Sequence, residues 1–172
     1  MRSQAPPPGP ADPRPGPQAG TADSPHAMAL LFALDRHAAL DELRELRASH
    51  DVVLLDRYVA SNAAYTAARL GPGREAEVLH WIGELEFDRL GLPLPDLQIL
   101  LDTPTALAAE RAGSRESADP ARTRDRYERD AALQAATGEA YRRLAASRWR
   151  SPWRVLGVDP DVRELADLVV GH

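Results

Sequence analysis

Three short apolar runs do most to limit what this chain can fold into: VVLL at 52–55, LQILL at 97–101 and WRVLGV at 153–158. VVLL is β-rich and apolar throughout, the pattern of a strand buried on both faces; LQILL reads as a second buried strand and WRVLGV as a third. The stretches between them carry helical periodicity. Strands alternating with helices predict an α/β fold with a parallel sheet flanked by helices. A doubly wound sheet of this kind has five or six strands and places its site at their carboxyl ends, so three strands predict a short, incomplete sheet.

The helices read as follows. Residues 26–50 form one long pattern, with Ala27, Leu30, Leu34, Leu43 and Leu46 at helical spacing. Residues 58–69 read as a second helix that GPG at 71–73 stops, and a third places Val78, Ile82 and Leu85 on one face. GLPLPD at 91–96 is a turn into the second run. Thr103 and Pro104 open a further helix, a later one runs through about Ala146, and 161–170 close the chain. Residues 1–25, MRSQAPPPGPADPRPGPQAGTADSP, are dense in proline and glycine and offer too little apolar surface to offset ordering entropy. They are expected to be disordered and are no signal peptide, leaving 26–172 as the folded domain.

Composition removes several classes of function. The 172 residues are 44% hydrophobic, enough for one domain with a core. With a formal net charge of -5 the chain has no general attraction for nucleic acid or anionic lipid, and no run is long enough to span a membrane. Without cysteine there is no disulfide, thiolate metal site or thiol nucleophile, which suits a cytoplasmic setting. All 21 basic residues are arginine. Chemistry that needs lysine, including the phosphate lysine of a GxxxxGK[ST] loop, is therefore absent from these residues. The five histidines have no metal-ligand spacing, and the three tryptophans read as packing residues.

Three clusters carry chemistry. VVLLDRYVASNAAY (52–65) delivers Asp56 and Arg57 to the end of a predicted strand, where a guanidinium can fork onto phosphate. The alternative is an Asp that caps the next helix and an Arg paired at the surface. Ser61 and Asn62 add hydrogen-bonding groups to a base or sugar, and Tyr65 follows one helical turn later. In FALDR, Phe32 and Arg36 share a helix face, a ring beside a guanidinium that suits a planar heterocycle; core packing and a local ion pair remain the alternative. Residues 110–130 hold arginines at 111, 115, 122, 124, 126 and 129 with as many acids. They read either as a solvated helix laced with ion pairs or as a loop that closes arginines over phosphates. A third reading, an arginine-rich interaction module, fits poorly with that charge balance.

Taken together, FALDR, DRYVASNAAY, EFDRLGLPLPD (86–96) and DPARTRDRYERDAALQ (119–134) resemble, in order and spacing, the thymidylate (dTMP) kinases, especially those of actinobacteria. The likeness runs from Ala22 to about Val170. It implies the P-loop nucleoside monophosphate kinase fold and transfer of the ATP γ-phosphate to dTMP, giving dTDP for dTTP synthesis, with Mg2+. By matching positions, it implies that Phe32 stacks on thymine, Arg36 bonds its carbonyl edge, Asn62 contacts the base and Tyr65 crowds the sugar's 2′ position. Arg57 would hold the dTMP phosphate beside Asp56, with Ser61 in the same site; Asp125 and Tyr127 would approach dTMP, and Glu128 the magnesium shell. Arg111, Arg115 and Arg122 match the LID, about 110–122, with Arg115 stabilising the transition state. A homodimer through helices, including 27–47, is also suggested.

One departure from the family pattern is large. The first strand, the glycine-rich phosphate loop and the first helix are not found, and 1–25 stand in their place. The polypeptide as written is therefore expected to fold poorly and to be inactive, with a miscalled start or a frameshift as the source. A non-catalytic dTMP-binding protein is the alternative expectation.

Overall fold

The computed structural model describes residues 24–103 and 120–170. The Pro/Gly-rich segment up to residue 23 and the helix expected after Thr103 lie outside the described residues.

Ser24 and Pro25 begin helix α1 (Pro25–Ala38), one residue earlier than the sequence pattern placed it. The Ser24 hydroxyl accepts from the Ala27 N–H at 3.3 Å. Pro25 occupies a first-turn position that needs no amide donor. The single helix expected over 26–50 is in fact two, because Ala39 leaves helical geometry at φ -90° and ψ 7° before α2 (Leu40–Ser49). The Ala39 N–H donates to the Arg36 carbonyl only three residues back, at 3.1 Å. A tight turn of this kind redirects the chain without glycine or proline, so no breaker residue announced it.

Helix α3 (Val59–Leu70) is the centre of the molecule, burying Val59, Ala60, Asn62, Ala63, Ala64, Thr66 and Ala67. Its small residues let neighbours approach closely: α1 packs on one side and α4 (Glu75–Gly83) on another. Gly71 and Gly73, at φ 80° and 92°, make the turn between α3 and α4 in a backbone region that side chains disfavour. Helix α4 runs directly into a π-helical stretch, Glu84–Arg89, whose wider turn closes with the Leu90 N–H donating to the Leu85 carbonyl at 2.9 Å. An α-helical period puts Leu85 on the buried face. The wider turn buries Glu86 and Phe87 instead and leaves Leu85 half-exposed.

Strand β1 (Gln98–Leu101) and strand β2 (Trp153–Leu156) pair in parallel, Gln98 opposite Trp153 and Leu101 opposite Leu156. The Gln98 N–H donates to the Pro152 carbonyl at 2.9 Å and that of Asp102 to Leu156 at 2.8 Å. Between the strands in sequence runs α5 (Pro120–Ala146), whose Ala140, Leu144 and Ala145 join the core; α6 (Val162–Val170) closes the described chain.

The expectation for 52–55 is overturned. The segment has no regular secondary structure and pairs with no strand among the described residues, and it lies open, with Leu54 83% exposed and Val52 and Leu55 also exposed. The physical reason is that a strand exists only where a neighbour accepts its backbone hydrogen bonds. Segment 52–55 faces β1 across an open groove instead of along a ladder. β1 is likewise less covered than two-sided burial requires, with Leu101 exposed at its end.

Candidate functional site

Asp56 and Arg57 follow the open segment and immediately precede α3. Arg57 adopts φ 67°, the left-handed region that a non-glycine residue enters only when its surroundings impose it. Both side chains are exposed and neither has a hydrogen-bond or ion-pair partner among the described residues. They line an open groove of about 1110 Å³ whose walls are 52–58 on one side and 93–101 on the other. Ser61 and Tyr141 reach the same groove, and the Tyr141 hydroxyl donates to Ser61 Oγ at 2.7 Å. At its edge the Tyr58 hydroxyl donates to the Pro93 carbonyl at 3.0 Å. Burial pushes the Tyr58 phenol up to about 12, and the nearby Glu86 carboxylate adds to the rise. Tyr58 is therefore a neutral donor at ordinary pH, fixing the entry to α3.

A second cluster lies where α1, α3 and the π-helical stretch meet. Glu86 is fully buried. Its carboxylate accepts from Arg36 Nε at 2.6 Å and Arg36 Nη2 at 2.7 Å, a bidentate pair, and from Asn62 Nδ2 at 2.8 Å. Asn62 Nδ2 also donates to the Ala29 carbonyl at 2.9 Å, so both amide hydrogens of Asn62 are held inside the protein. Thr66 Oγ1 donates to Asn62 Oδ1 at 3.4 Å. No buried side-chain nitrogen or oxygen among the described residues lacks a partner. Phe32, one turn before Arg36 on α1, is 44% exposed.

The structure thus brings Asp56, Arg57 and Ser61 together on the groove, and Arg36 and Asn62 together around Glu86. Phe32 and Arg36 are not among the groove's lining residues. Tyr65 is exposed on α3, one turn beyond Ser61, with the Arg69 guanidinium 6.0 Å from its ring centre. Arg122, Asp125, Tyr127 and Glu128 fall on the helical backbone of α5, and their side chains are outside the described residues. Arg111, Arg115 and the LID through residue 119 are outside as well.

The family model that describes thymidylate kinase matches residues 18–151. The thymidylate kinase of Mycobacterium tuberculosis (strain CDC 1551 / Oshkosh) is 52% identical over 145 residues, covering 84% of this chain and 68% of that protein. That of Thermomicrobium roseum is 34% identical, covering 88% of this chain and 68% of the relative. That of Leifsonia xyli subsp. xyli is 40% identical, covering 83% and 63%. The chain belongs to the thymidylate kinase family.

Membership in the thymidylate kinases gives this chain the P-loop nucleoside monophosphate kinase fold, of which the small parallel sheet and its helices are a part. The actinobacterial resemblance agrees with the 52% identity to the mycobacterial relative. Among the described residues, no helix is long and apolar enough to cross a membrane. Glu86 is the residue that sequence reasoning missed. The signal was present, because Val78, Ile82 and Glu86 recur every four residues and an acid on an apolar helix stripe needs a buried partner. Tyr141, remote in sequence from Ser61, carried no such signal.

Proposed function

We propose that this chain supplies the acceptor side of a dTMP kinase, the part that binds dTMP and presents its phosphate for transfer from ATP. Family membership supports the reaction class, phosphotransfer to a phosphate acceptor. The observation that carries the site is the pair of exposed charges, Asp56 and Arg57, unpartnered among the described residues, at the groove directly before α3. Arg57 holds the dTMP phosphate, Ser61 and Tyr65 line one face of α3 toward the sugar, and Phe32 with Arg36 receives the base. Asp125 and Tyr127 approach dTMP from α5. Arg111, Arg115 and Arg122 close over the transferring phosphate, where positive charge and exclusion of water do most of the catalytic work.

Magnesium fits this arrangement. The described residues offer no cluster of three His, Cys, Asp or Glu side chains to cage a metal. Mg2+ needs no cage, since one or two carboxylates and the substrate phosphates hold it. Asp56, exposed and unpartnered among the described residues, and Glu128 are the carboxylates for that role. Held there by Asp56 and Glu128, the ion would supply positive charge to the phosphate oxygens. No GxxxxGK[ST] sequence occurs in these 172 residues, so the ATP-phosphate cradle is not among them. That observation favours a second reading, a dTMP-binding protein without catalysis. A cytoplasmic setting is part of either reading, and a chain with no cysteine is compatible with it.

Calorimetric titration of the 172-residue chain with dTMP and UMP tests the acceptor site. We expect saturable binding with a preference for dTMP, and Arg57→Ala should weaken it at least tenfold through loss of a charge-assisted fork, worth roughly 1.5–3 kcal/mol. Equal or absent binding of the two nucleotides would refute the acceptor reading. A coupled ATP/dTMP assay separates the two readings: turnover supports the kinase, and binding without turnover supports the non-catalytic protein. Leu30, Leu31 and Leu34 on the exposed face of α1 are the surface through which a homodimer would form. Light scattering that gives a monomer mass at high concentration would remove that partner.

A further inference from the structure

We infer that Glu86 is a positioning residue for base recognition: from a fully buried site it clamps one edge of the Arg36 guanidinium so that the opposite edge faces the ligand. The inference rests on the acceptor-site reading. A guanidinium has five N–H donors in a fixed planar fork. Glu86 takes the Nε donor and one on Nη2, at 2.6 and 2.7 Å. Among the described residues, both donors on Nη1 and the second on Nη2 have no partner, and the Arg36 side chain is 21% exposed while that of Glu86 is 0%. The inner edge is closed and the outer edge is open. Phe32, four residues earlier on the same face of α1, offers an exposed ring against which a flat heterocycle can rest while its carbonyl oxygen accepts from that outer edge.

The clamp is itself held in place. Asn62 spends its two amide hydrogens on Glu86 and on the Ala29 carbonyl, tying the carboxylate on the π-helical stretch to both α3 and α1. Glu86 reaches this junction from the π-helical stretch, where it is buried and Leu85 is not. Asn62 therefore acts on the base through Glu86 and Arg36, with its own donors turned inward. An arginine without such a clamp would sample many rotamers, and ordering it on binding would weaken affinity.

The test uses the full 172-residue chain and two ligands, dTMP and deoxyribose 5-phosphate, which lacks the base. Glu86→Gln keeps the shape but removes the charge, and the double variant Arg36→Met with Glu86→Met replaces the buried pair by apolar side chains of similar volume. We expect both variants to lose dTMP affinity by roughly tenfold or more, as the loss of an oriented charge-assisted contact does. Affinity for deoxyribose 5-phosphate should stay within twofold. A purely structural ion pair would move both ligands together or neither, and either result overturns the inference. Wild-type discrimination between the two ligands that persists undiminished in the double variant would show that Arg36 does not read the base, which overturns the inference and leaves the acceptor reading standing. A wild-type chain that does not discriminate removes the acceptor reading, and this inference with it.

Discussion

The helical side of the molecule and its sheet side start from equally apolar sequence and end differently. Around α3, Val59, Ala63, Ala64, Val78 and Ile82 are almost completely buried. On the sheet side Leu54, Leu101 and Val155 are more than half exposed. A helix closes its backbone hydrogen bonds within itself, so apolar side chains alone decide where it packs. A strand must borrow its partners from another segment, so the same apolar run stays open until one lies beside it. The residues of the proposed acceptor site divide along this line. Arg36, Asn62 and Glu86 are locked into the helical side, whereas Asp56 and Arg57 stand at the open edge.

The largest effect that would break the comparison is at the core. Ile82→Ala should destabilise the chain by about 2–5 kcal/mol in urea unfolding, because nothing fills the cavity. A value under about 1 kcal/mol would mean the helical side is not consolidated. Asn62→Ala should cost about 1–3 kcal/mol by leaving Glu86 and the Ala29 carbonyl each short of a donor. A smaller effect concerns pH. The Tyr58 phenol is raised to about 12 in the folded chain, so its contribution to stability is complete below pH 10, the unfolded value, and is lost as pH rises toward 12. Ultraviolet titration of the wild type against Tyr58→Phe should show the missing phenolate step near 12; a missing step near 10 would contradict the burial. The smallest effect is at the open segment. Leu54→Ser should change stability by no more than about 0.5 kcal/mol, and a cost above that would show the segment packed as a strand.

Much of this division was visible in the sequence. GPG at 71–73 stopped α3 because two residues there require positive φ, and glycine supplies it. Helix α3, both paired strands and the closing helix appear close to where the sequence pattern placed them, and the strands pair in parallel as strands alternating with helices imply. Three features were not visible, each for a different reason. VVLL encodes burial on both faces, but whether it becomes a strand depends on a neighbour far away in sequence. The turn at Ala39 uses no breaker residue. The π-helical turn leaves Leu85, which looked like core, half-exposed and buries Glu86 and Phe87. Asp56 and Arg57 stood out because a charged pair ended an apolar run. Their free geometry, with Arg57 in left-handed backbone, belongs to the fold alone.

The central claim is that the base-reading half of the acceptor site is preassembled on the helical side while the phosphate end stays open. Hydrogen exchange by mass spectrometry on the 172-residue chain, with and without dTMP, tests it directly. The account predicts slow exchange at 59–67 and 82–87 before any ligand is added, fast exchange at 52–57, and added protection with dTMP at 32–36 and 57–65. Fast exchange throughout the helical side, or protection of 52–57 in the free chain, would contradict it.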